Sequence, residues 1–274
     1  MLVELSLIII GFAIGTFGTL VGAGGGFVLM PVLLLMFPDQ DPEILTSISL
    51  AVVFFNAASG SLAYSRMKKI DYRSGLIFSI AAVPGAIAGS YTVKFINREI
   101  FNIIFGIILI VVSVYLFFRS VKQPGVSKPV PGHYSIRHII DSEDNVYAYA
   151  FEHKTGIFIS VLIGFVSSLL GIGGGIIHVP AMVNMLNFPV HIATATSHFV
   201  LAIMALAGSL THILDGSYTW DSASKTLYLG IGVIAGAQLG AKLSKKMKAN
   251  FIIKALAIAL CIVGVRIFLL TLIK

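Results

Sequence analysis

The chain has 274 residues, of which 57% are hydrophobic and only 11% charged, and its mean hydropathy is +0.96. This composition excludes an ordinary soluble domain and indicates a polytopic membrane protein. A net charge of +7 would suggest a nucleic-acid partner in a soluble protein, but here the basic residues concentrate in loops between apolar windows. We therefore expect the lipid bilayer, and no nucleic acid, as a partner.

Long apolar windows divide the chain into predicted membrane helices. A bilayer core of about 30 Å requires about 20 apolar residues for each spanning helix. Unpaired backbone groups are costly in lipid, and the windows lack the alternating pattern of outer-membrane strands, so we predict an all-α fold. The windows are, in chain order, 5–37, 44–65, 74–93, 100–118, 156–187, 191–214, 222–241 and 251–273.

The first window is interrupted by four glycines in the stretch LVGAGGGFVLMP. Glycine readily takes a positive φ angle, so we predict a helical hairpin over 5–37 whose arms meet at the glycines. The sequence leaves open whether both arms cross the membrane or turn back part-way. The helix that follows carries Thr46, Ser47 and Asn56 at membrane depth.

Loop charges predict the orientation of the helices. The loops YSRMKKIDYR and AKLSKKMK are basic, whereas FPDQDPE and LDGSYTWDS are acidic and lack cations. Basic loops concentrate in the cytoplasm, so we place the first two loops inside and the other two outside. Helix 44–65 then runs inward and helix 191–214 runs outward.

A polar connector separates two transmembrane regions. Helices 74–93 and 100–118 return the chain to the cytoplasm, with Lys94 and Arg98 outside as a mild exception to the charge rule. The segments HYSIRHII and VYAYAF then alternate around the turn-forming DSEDN, which predicts a β-hairpin. We divide the chain into a first transmembrane repeat, a cytoplasmic connector and a second transmembrane repeat, at residues 1–118, 119–155 and 156–274.

The second region repeats the first. LLGIGGGIIHVP corresponds to LVGAGGGFVLMP, the Thr-Ser pair at 46–47 matches the pair at 196–197, and Gly-Ser-Leu recurs at 60–62 and 208–210. With the loop charges reversed, we predict two inverted-topology repeats, each a Gly-broken helical hairpin followed by three transmembrane helices. This plan is common in secondary transporters, whose substrate sites lie where broken helices meet.

The paired glycine breaks predict an anion site. A helix that begins just after such a break directs the positive end of its dipole towards the break. Two such helices entering from opposite faces would form a two-sided cradle for an anion. Close helix packing is an alternative reading of the same glycines, and both can hold at once.

Buried polar residues and histidines supply further candidates. The Thr-Ser pairs also suit helix capping, and Asn56 also suits a hydrogen bond between helices. His178 and His198 can carry a coupling proton or contact an anion, or each can simply be satisfied by a backbone carbonyl. The apolar windows contain no carboxylate, HxxxH motif or Cys/His cluster, which disfavours both a metal site and intramembrane catalysis.

The doubled GxGGG...P motif with its following Thr-Ser elements resembles the TauE/SafE family of sulfite and organosulfonate permeases, over nearly the whole chain. The resemblance implies a bacterial or archaeal plasma-membrane protein without a bound cofactor. His178 stands where an aliphatic residue is usual, which points to a difference in substrate or coupling. The resemblance implicates Gly22, Gly24, Gly25, Gly26, Gly171, Gly173, Gly174, Gly175, Thr46, Ser47, Thr196 and Ser197.

We therefore predict a secondary transporter that moves a small sulfur-containing anion, such as sulfite, sulfoacetate or thiosulfate, across the plasma membrane, coupled to protons. No P-loop motif is present. The alternatives are an anion channel, a transition-metal transporter and an intramembrane enzyme that uses buried His and Ser. We expect no catalytic residue, metal or cofactor. The predicted substrate-binding residues are Gly24, Gly25, Gly26, Thr46, Ser47, Asn56, Gly173, Gly174, Gly175, His178, Thr196, Ser197 and His198.

Overall fold

Helices and one small β-hairpin make up the fold. The computed structural model describes residues 2–118, 134–244, 254, 257–258 and 260–267. Of the predicted helix 251–273, the described residues are helical and the others lie outside the described part. The elements are, in chain order, α1 (Leu2–Val21), α2 (Gly26–Met36), α3 (Pro42–Arg66), α4 (Tyr72–Thr92), α5 (Arg98–Phe118), β1 (Tyr134–Ile140), β2 (Val146–Glu152), α6 (His153–Leu169), α7 (Gly175–Met185), α8 (Val190–Leu214) and α9 (Trp220–Ser244).

Six of the described helices, α1, α3, α4, α5, α8 and α9, are long and apolar enough to cross a membrane. Large apolar side chains in the middle of these helices are well exposed, including Ile9 at 60%, Ile80 at 66% and Val111 at 61%. An outer surface of this kind suits lipid rather than water. The predicted all-α polytopic membrane fold is confirmed.

Each glycine-broken window forms one long and one short helix. The long helices α1 and α6 have 20 and 17 residues, whereas α2 and α7 have 11 each. At 1.5 Å per residue a short helix extends about 16 Å, roughly half of a bilayer core. The short helices are therefore too short to span a membrane. The sequence had left open whether both arms of each hairpin cross the membrane, and these two arms do not.

The two glycine turns are in direct contact at the centre of the bundle. A Cβ at Gly26 would lie 2.6 Å from the carbonyl oxygen of Ile172, and one at Gly175 would lie 2.5 Å from the carbonyl oxygen of Gly22. The glycines that precede the short helices, Gly25 and Gly174, have φ angles of 79° and 84°. Positive φ and the absence of a Cβ are both needed here, because the turns are left-handed and their backbones touch.

Contacts between α3 and α8 are reciprocal. Gly60 of α3 packs against His198 of α8, and Gly208 of α8 packs against Leu50 of α3. A shift of 148 residues along the chain converts the first pair into the second, and the same shift relates the first residues of α3 and α8. These contacts also show that α3 and α8 run antiparallel. The arrangement supports our prediction of oppositely oriented repeats.

Small residues let α9 pack closely on α1, and α4 on α6. Gly240 of α9 lies where a Cβ would collide with the carbonyl oxygen of Thr16 in α1, and Gly89 of α4 lies in the same way against Phe165 of α6. Small side chains let transmembrane helices approach this closely. Each long arm of a glycine-broken segment therefore packs on a helix of the other half of the chain.

The contacts of Arg98 explain why a cation occurs in a loop that we predict to be external. Its guanidinium donates to the carbonyl oxygens of Leu34 at 2.7 Å, Phe37 at 3.3 Å and Gln40 at 2.5 Å. These carbonyls lie at and just beyond the C-terminal end of α2, where the helix dipole is negative. Arg98, one of the two exceptions to the charge rule, is thus the cation that caps α2.

The β-hairpin is antiparallel and docks on the loop between α3 and α4. Lys69 of that loop pairs with Asp141 at 3.4 Å. Asp71 accepts a hydrogen bond from the Tyr149 hydroxyl at 2.7 Å and pairs with Arg137 at 3.5 Å. Burial and the neighbouring Asp71 carboxylate raise the pKa of Tyr149, so its hydroxyl stays protonated and donates.

An aromatic cluster continues this docking into the bundle. Phe151 of β2 is buried and contacts Phe78 of α4 and Phe188 beyond α7, with ring centroids 5.8 Å and 5.0 Å away. Phe78 in turn meets the His178 ring edge-on at 6.1 Å. The hairpin is therefore part of the packed core at this end of the bundle.

We expect Gly26→Ala to lower the thermal stability of the protein strongly, because its Cβ would force apart two backbones that touch. Overpacking of this kind costs about 3 kcal/mol. Gly216→Ala is the control for a substitution without a contact. Gly216 has a φ angle of 80°, unlike Gly26, but no atom lies within 4 Å of its Cβ position, so about 1 kcal/mol of backbone strain applies without any overlap. Thermal unfolding of the detergent-solubilised variants measures both, and equal losses would contradict the contact.

We expect Asp141→Asn to loosen the hairpin, because it leaves the Lys69 ammonium, only 7% exposed, without its partner. Breaking a buried pair costs about 3 kcal/mol, which corresponds to roughly 100-fold faster amide exchange over 134–152. Exchange mass spectrometry measures this, with exposed Asp144→Asn as the control. An unchanged exchange rate in Asp141→Asn would show that the pair does not hold the hairpin.

The same carboxylate predicts a pH dependence. Burial alone would raise the pKa of Asp141, but N–H donors of Glu143 and Asn145 and the nearby Lys69 lower it from 3.8 to about 2. A lowered pKa means that the stabilisation is complete above the unfolded value of 3.8 and is lost as the pH falls towards 2. Hairpin protection in the wild type is expected to stay level down to about pH 4 and to decline below it, once intrinsic exchange rates are corrected.

Candidate functional site

All thirteen predicted substrate-binding residues are buried, and they lie on the two glycine turns, the short helix α7 and the core helices α3 and α8. The turns lie beside the middle of α3 and α8: a Cβ at Gly24 would collide with Leu201 and one at Gly173 with Val53. The structure therefore brings the two predicted glycine runs together.

The first turns of α2 and α7 offer backbone donors at this centre. The carbonyl oxygen of Gly25 accepts from Val28 and Leu29, and that of Gly174 accepts in the same way from Ile177 and His178. The N–H groups at the very start of a helix have no partner within it, and they carry a partial positive charge. Two such helix ends, both buried, meet at the glycine turns.

Two threonines stand in equivalent positions beside the glycine turns. A Cβ at Gly171 would lie 3.1 Å from the Thr46 Cα atom, and a Cβ at Gly22 would lie 3.1 Å from the Thr194 Cα atom. The Oγ1 atoms of both threonines are buried and have no hydrogen-bond partner. The structure thus pairs Thr46 with Thr194, whereas the repeated Thr-Ser motif had suggested Thr196.

The other residues of the Thr-Ser motif have separate surroundings. The Thr196 hydroxyl accepts from the backbone N–H of Asp71 at 3.0 Å. The Ser47 hydroxyl donates to the carbonyl oxygen of Ile44 at 2.7 Å. The Ser197 hydroxyl is buried without a partner. The motif therefore does not form two matching hydroxyl pairs.

Asn56 lies next to the first glycine turn. Its Nδ2 atom is 3.5 Å from the Cβ position of Gly25 and has no hydrogen-bond partner. Its Oδ1 atom accepts from the Thr19 hydroxyl at 3.0 Å, and Tyr64 donates to the Thr19 carbonyl oxygen at 2.9 Å. The amide is therefore held on one side, and its N–H groups remain available on the other.

The two predicted histidines have different neighbours. The His198 Nδ1 atom lies 3.2 Å from the carbonyl oxygen of Thr194, and its Nε2 atom has no partner. His178 also has an unpartnered ring nitrogen, Nδ1, but its ring faces Phe78 in the aromatic cluster. His198 thus belongs to the polar centre, and His178 contacts the cluster that meets the hairpin.

Several polar residues near the turns were not among the predicted site residues. Ser49 donates to the carbonyl oxygen of Gly171 at 2.5 Å, and the Ser167 hydroxyl lies 2.8 Å from the Cβ position of Gly174. Thr19 and Ser168 each stand three residues before the first glycine of a run. That shared position is the sequence signal that would have identified the last two.

The charges around this centre come from helix ends rather than from side chains. Among the described residues, the buried charged side chains are Lys69, Asp71 and Asp141, all at the hairpin interface. The centre itself presents hydroxyl, amide and backbone N–H groups. Neutral donors and helix dipoles of this kind can bind an anion without a fixed cation.

One group of possible metal ligands occurs in the described part of the chain. Oxygen or nitrogen atoms of Glu43, His212 and Asp215 lie within 4.8 Å of one another. The Ser217 hydroxyl is hydrogen-bonded to His212 Nδ1 at 3.0 Å and to Asp215 at 2.5 Å. These hydrogen bonds account for the cluster, which lies at the first turn of α3 and the last turn of α8, away from the glycine turns.

Comparison with known proteins identifies relatives over almost the full length. The family described as sulfite exporter TauE/SafE matches residues 7–267. The probable membrane transporter protein YunE of Bacillus subtilis (strain 168) is 36% identical over 264 residues, which cover 94% of each chain. A probable membrane transporter protein of Methanocaldococcus jannaschii is 29% identical over 270 residues, covering 94% of this chain and 92% of its own. No solved structure matches the chain.

These relationships agree with the six apolar helices long enough to span a membrane. The relatives are named as transporters, which are not enzymes, and they come from a bacterium and an archaeon. The protein is a multi-pass membrane protein, consistent with the plasma membrane. From its match over residues 7–267, the chain belongs to the TauE/SafE sulfite exporter family of membrane transporters.

Proposed function

We propose that the protein is a proton-coupled secondary transporter of a small sulfur oxyanion, such as sulfite, thiosulfate or a sulfonate like sulfoacetate, bound at the two glycine turns. One observation carries the proposal: two short helices begin at glycine turns that touch, surrounded by buried donors without partners. Buried polar groups normally find partners, so donors left open at a helix N-terminus suit a bound anion.

The chemistry of the donors favours an anion over a cation. Asn56 presents Nδ2, and Thr46 and Thr194 present hydroxyls, all without partners. The start of each short helix adds a partial charge of about +0.5. An oxyanion with three or four acceptor oxygens can take several of these donors at once, whereas a cation would meet the positive end of two helix dipoles.

The closed centre favours a transporter over an open channel. The substrate-binding candidates are buried in this conformation, so an anion can enter only if helices move. Broken helices at the middle of two related halves are typical of carriers that open alternately to either side. An enzyme would require a nucleophile, a base and an orienting group within reach, and the described residues at the centre contain no carboxylate for that role.

The direct test is anion flux into proteoliposomes that contain the purified protein. Uptake of radiolabelled thiosulfate, sulfite and sulfoacetate is measured at one pH on both sides and with an imposed proton gradient. We expect saturable uptake of at least one of these anions, and accumulation against its concentration when the gradient favours it. A protein that transports none of them does not have the proposed substrate class, and uptake without saturation or accumulation indicates a channel.

We expect Thr46→Val and Thr194→Val each to weaken transport, because each removes one open donor beside a glycine turn. A hydrogen bond to a charged group contributes about 1.5–3 kcal/mol, so the half-saturation concentration is expected to rise about 10- to 100-fold. Ser79→Ala is the control, since this buried hydroxyl donates within its own helix to Gly75 at 2.7 Å. Equal effects of all three variants would show that the two threonines do not contact the anion.

A further inference from the structure

The two glycine turns have equivalent backbones but different side chains around them. The His198 ring of α8 lies against Gly60 of α3, with Nε2 3.1 Å from the Cβ position of Gly60. At the equivalent position, the atoms nearest the Cβ position of Gly208 are the Leu50 methyl group and the Ser90 hydroxyl, both 2.9 Å away. The titratable ring of His198 therefore has an apolar side chain, that of Leu50, as its counterpart.

A second difference lies at the glycines that precede the short helices. The atom of α3 near Gly25 is the amide Nδ2 of Asn56, at 3.5 Å from the Cβ position. The atom of α8 near Gly174 is the methyl Cε of Met204, at 2.7 Å. A shift of 148 residues relates Asn56 to Met204, so these side chains are counterparts. The amide donor at the first glycine turn thus has a methyl group as its counterpart at the second.

Thr19, Asn56 and His198 form one connected group, which we call the polar half-site. Asn56 and Gly60 are one turn apart on α3 and share a face. A Cβ at Gly60 would contact both His198 and Thr19, and the Thr19 hydroxyl donates to Asn56. The open Nδ2 atom of Asn56 lies beside Gly25 at the N-terminus of α2, and the open Nε2 atom of His198 lies one turn further along the same face of α3, beside Gly60.

The tautomer of His198 determines which ring nitrogen can take up a proton. A carbonyl oxygen only accepts hydrogen bonds, so the contact of Nδ1 with the Thr194 carbonyl places a hydrogen on Nδ1. In the neutral ring, Nε2 then carries a lone pair, which opposes an anion. When the ring is protonated, Nε2 becomes a donor with a positive charge.

Within the described part of the chain, the surroundings of His198 contain no fixed charge that would replace this proton. From α3, the titratable group in contact is Tyr64, with its ring centroid 5.4 Å away. Tyr64 is engaged with the Thr19 carbonyl and with Ser244 of α9. From α1 the neighbour is Thr19, and no charged side chain of the described residues acts on the imidazole. An imidazolium here gains a counter-charge only when an anion is bound.

We infer that the anion and its coupling proton bind together at the polar half-site of Thr19, Asn56 and His198, and that its counterpart with Leu50 and Met204 takes up no proton. The inference rests on the proposed function and assigns its coupling residue. One proton is taken up at Nε2 as one anion binds and both leave together, so the N–H bond at Nε2 forms and breaks in each cycle and the anion's own covalent bonds do not change.

The test uses proteoliposomes and the three labelled anions, with emphasis on thiosulfate and sulfoacetate, which stay ionised near neutral pH. His198→Gln keeps an N–H donor but cannot take up a proton. We expect this variant to transport at a reduced rate that an imposed proton gradient no longer stimulates. His178→Gln, a second buried histidine, is the matched control and is expected to keep the stimulation. Stimulation of His198→Gln equal to the wild type would overturn the inference.

A second pair of variants tests the asymmetry between the halves. Asn56→Ala is expected to raise the half-saturation concentration about 10- to 100-fold, because it removes a donor to a charged ligand. Met204→Ala is expected to leave that concentration close to the wild-type value. Equal effects in the two variants, or a larger effect in Met204→Ala, would overturn the assignment of the anion to the first turn.

Failure of the inference can be told apart from failure of the proposed function. If the wild type transports none of the three anions, the proposed function fails and the inference with it. If the wild type transports an anion under the gradient but the stimulation survives in His198→Gln, only the inference fails. Size-exclusion chromatography and thermal unfolding confirm the fold of each variant. His198→Asn, which likewise cannot take up a proton, replaces a His198→Gln protein that does not fold and must meet the same criterion.

Discussion

The contact between two glycine turns governs the rest of the structure. Gly26 and Gly175 lie so close to Ile172 and Gly22 that neither position has room for a Cβ atom. This contact brings the N-termini of both short helices to the middle of the bundle and places the core helices on either side. The partial positive charges of two helix ends are thus held together, and a bound anion would relieve their repulsion. In this way the backbone alone creates an electrostatic preference that no charged side chain supplies.

The two glycine turns have similar backbones but different surroundings. The pairs Gly60 with His198 and Gly208 with Leu50 show that the same packing problem has been solved with different side chains. Packing requires only a side chain of suitable size at each position. A polar ring at one of them, buried with an open nitrogen, costs free energy without a partner. Function is the simplest reason to keep that cost in one half only.

The sequence predicted the architecture well because membrane helices leave clear signals. Apolar windows predicted the ends of α3, α4 and α8 to within two residues, and the alternating segments around DSEDN predicted the hairpin. The positions of the glycine turns followed from the repeated motif. The pairing of individual side chains did not follow from the motif. The motif matched Thr46 with Thr196, whereas in the structure the equivalent position is occupied by Thr194. A two-residue difference in alignment is invisible to a short motif, yet it changes the face of a helix.

The contacts between the β-hairpin and the helices could not be predicted from the sequence pattern either. Asp71 accepts from the Ser74 N–H as a local cap of α4. Nothing local indicates that it also accepts from Tyr149 of β2, or that its N–H donates to Thr196 of α8. Because one residue joins α4, α8 and the hairpin, a motion that separates α4 from α8 at this end must break one of these bonds. Phe151 adds a second connection, since it packs on Phe78, which contacts His178 of α7. The hairpin therefore contacts α4 directly and reaches α7 through Phe78.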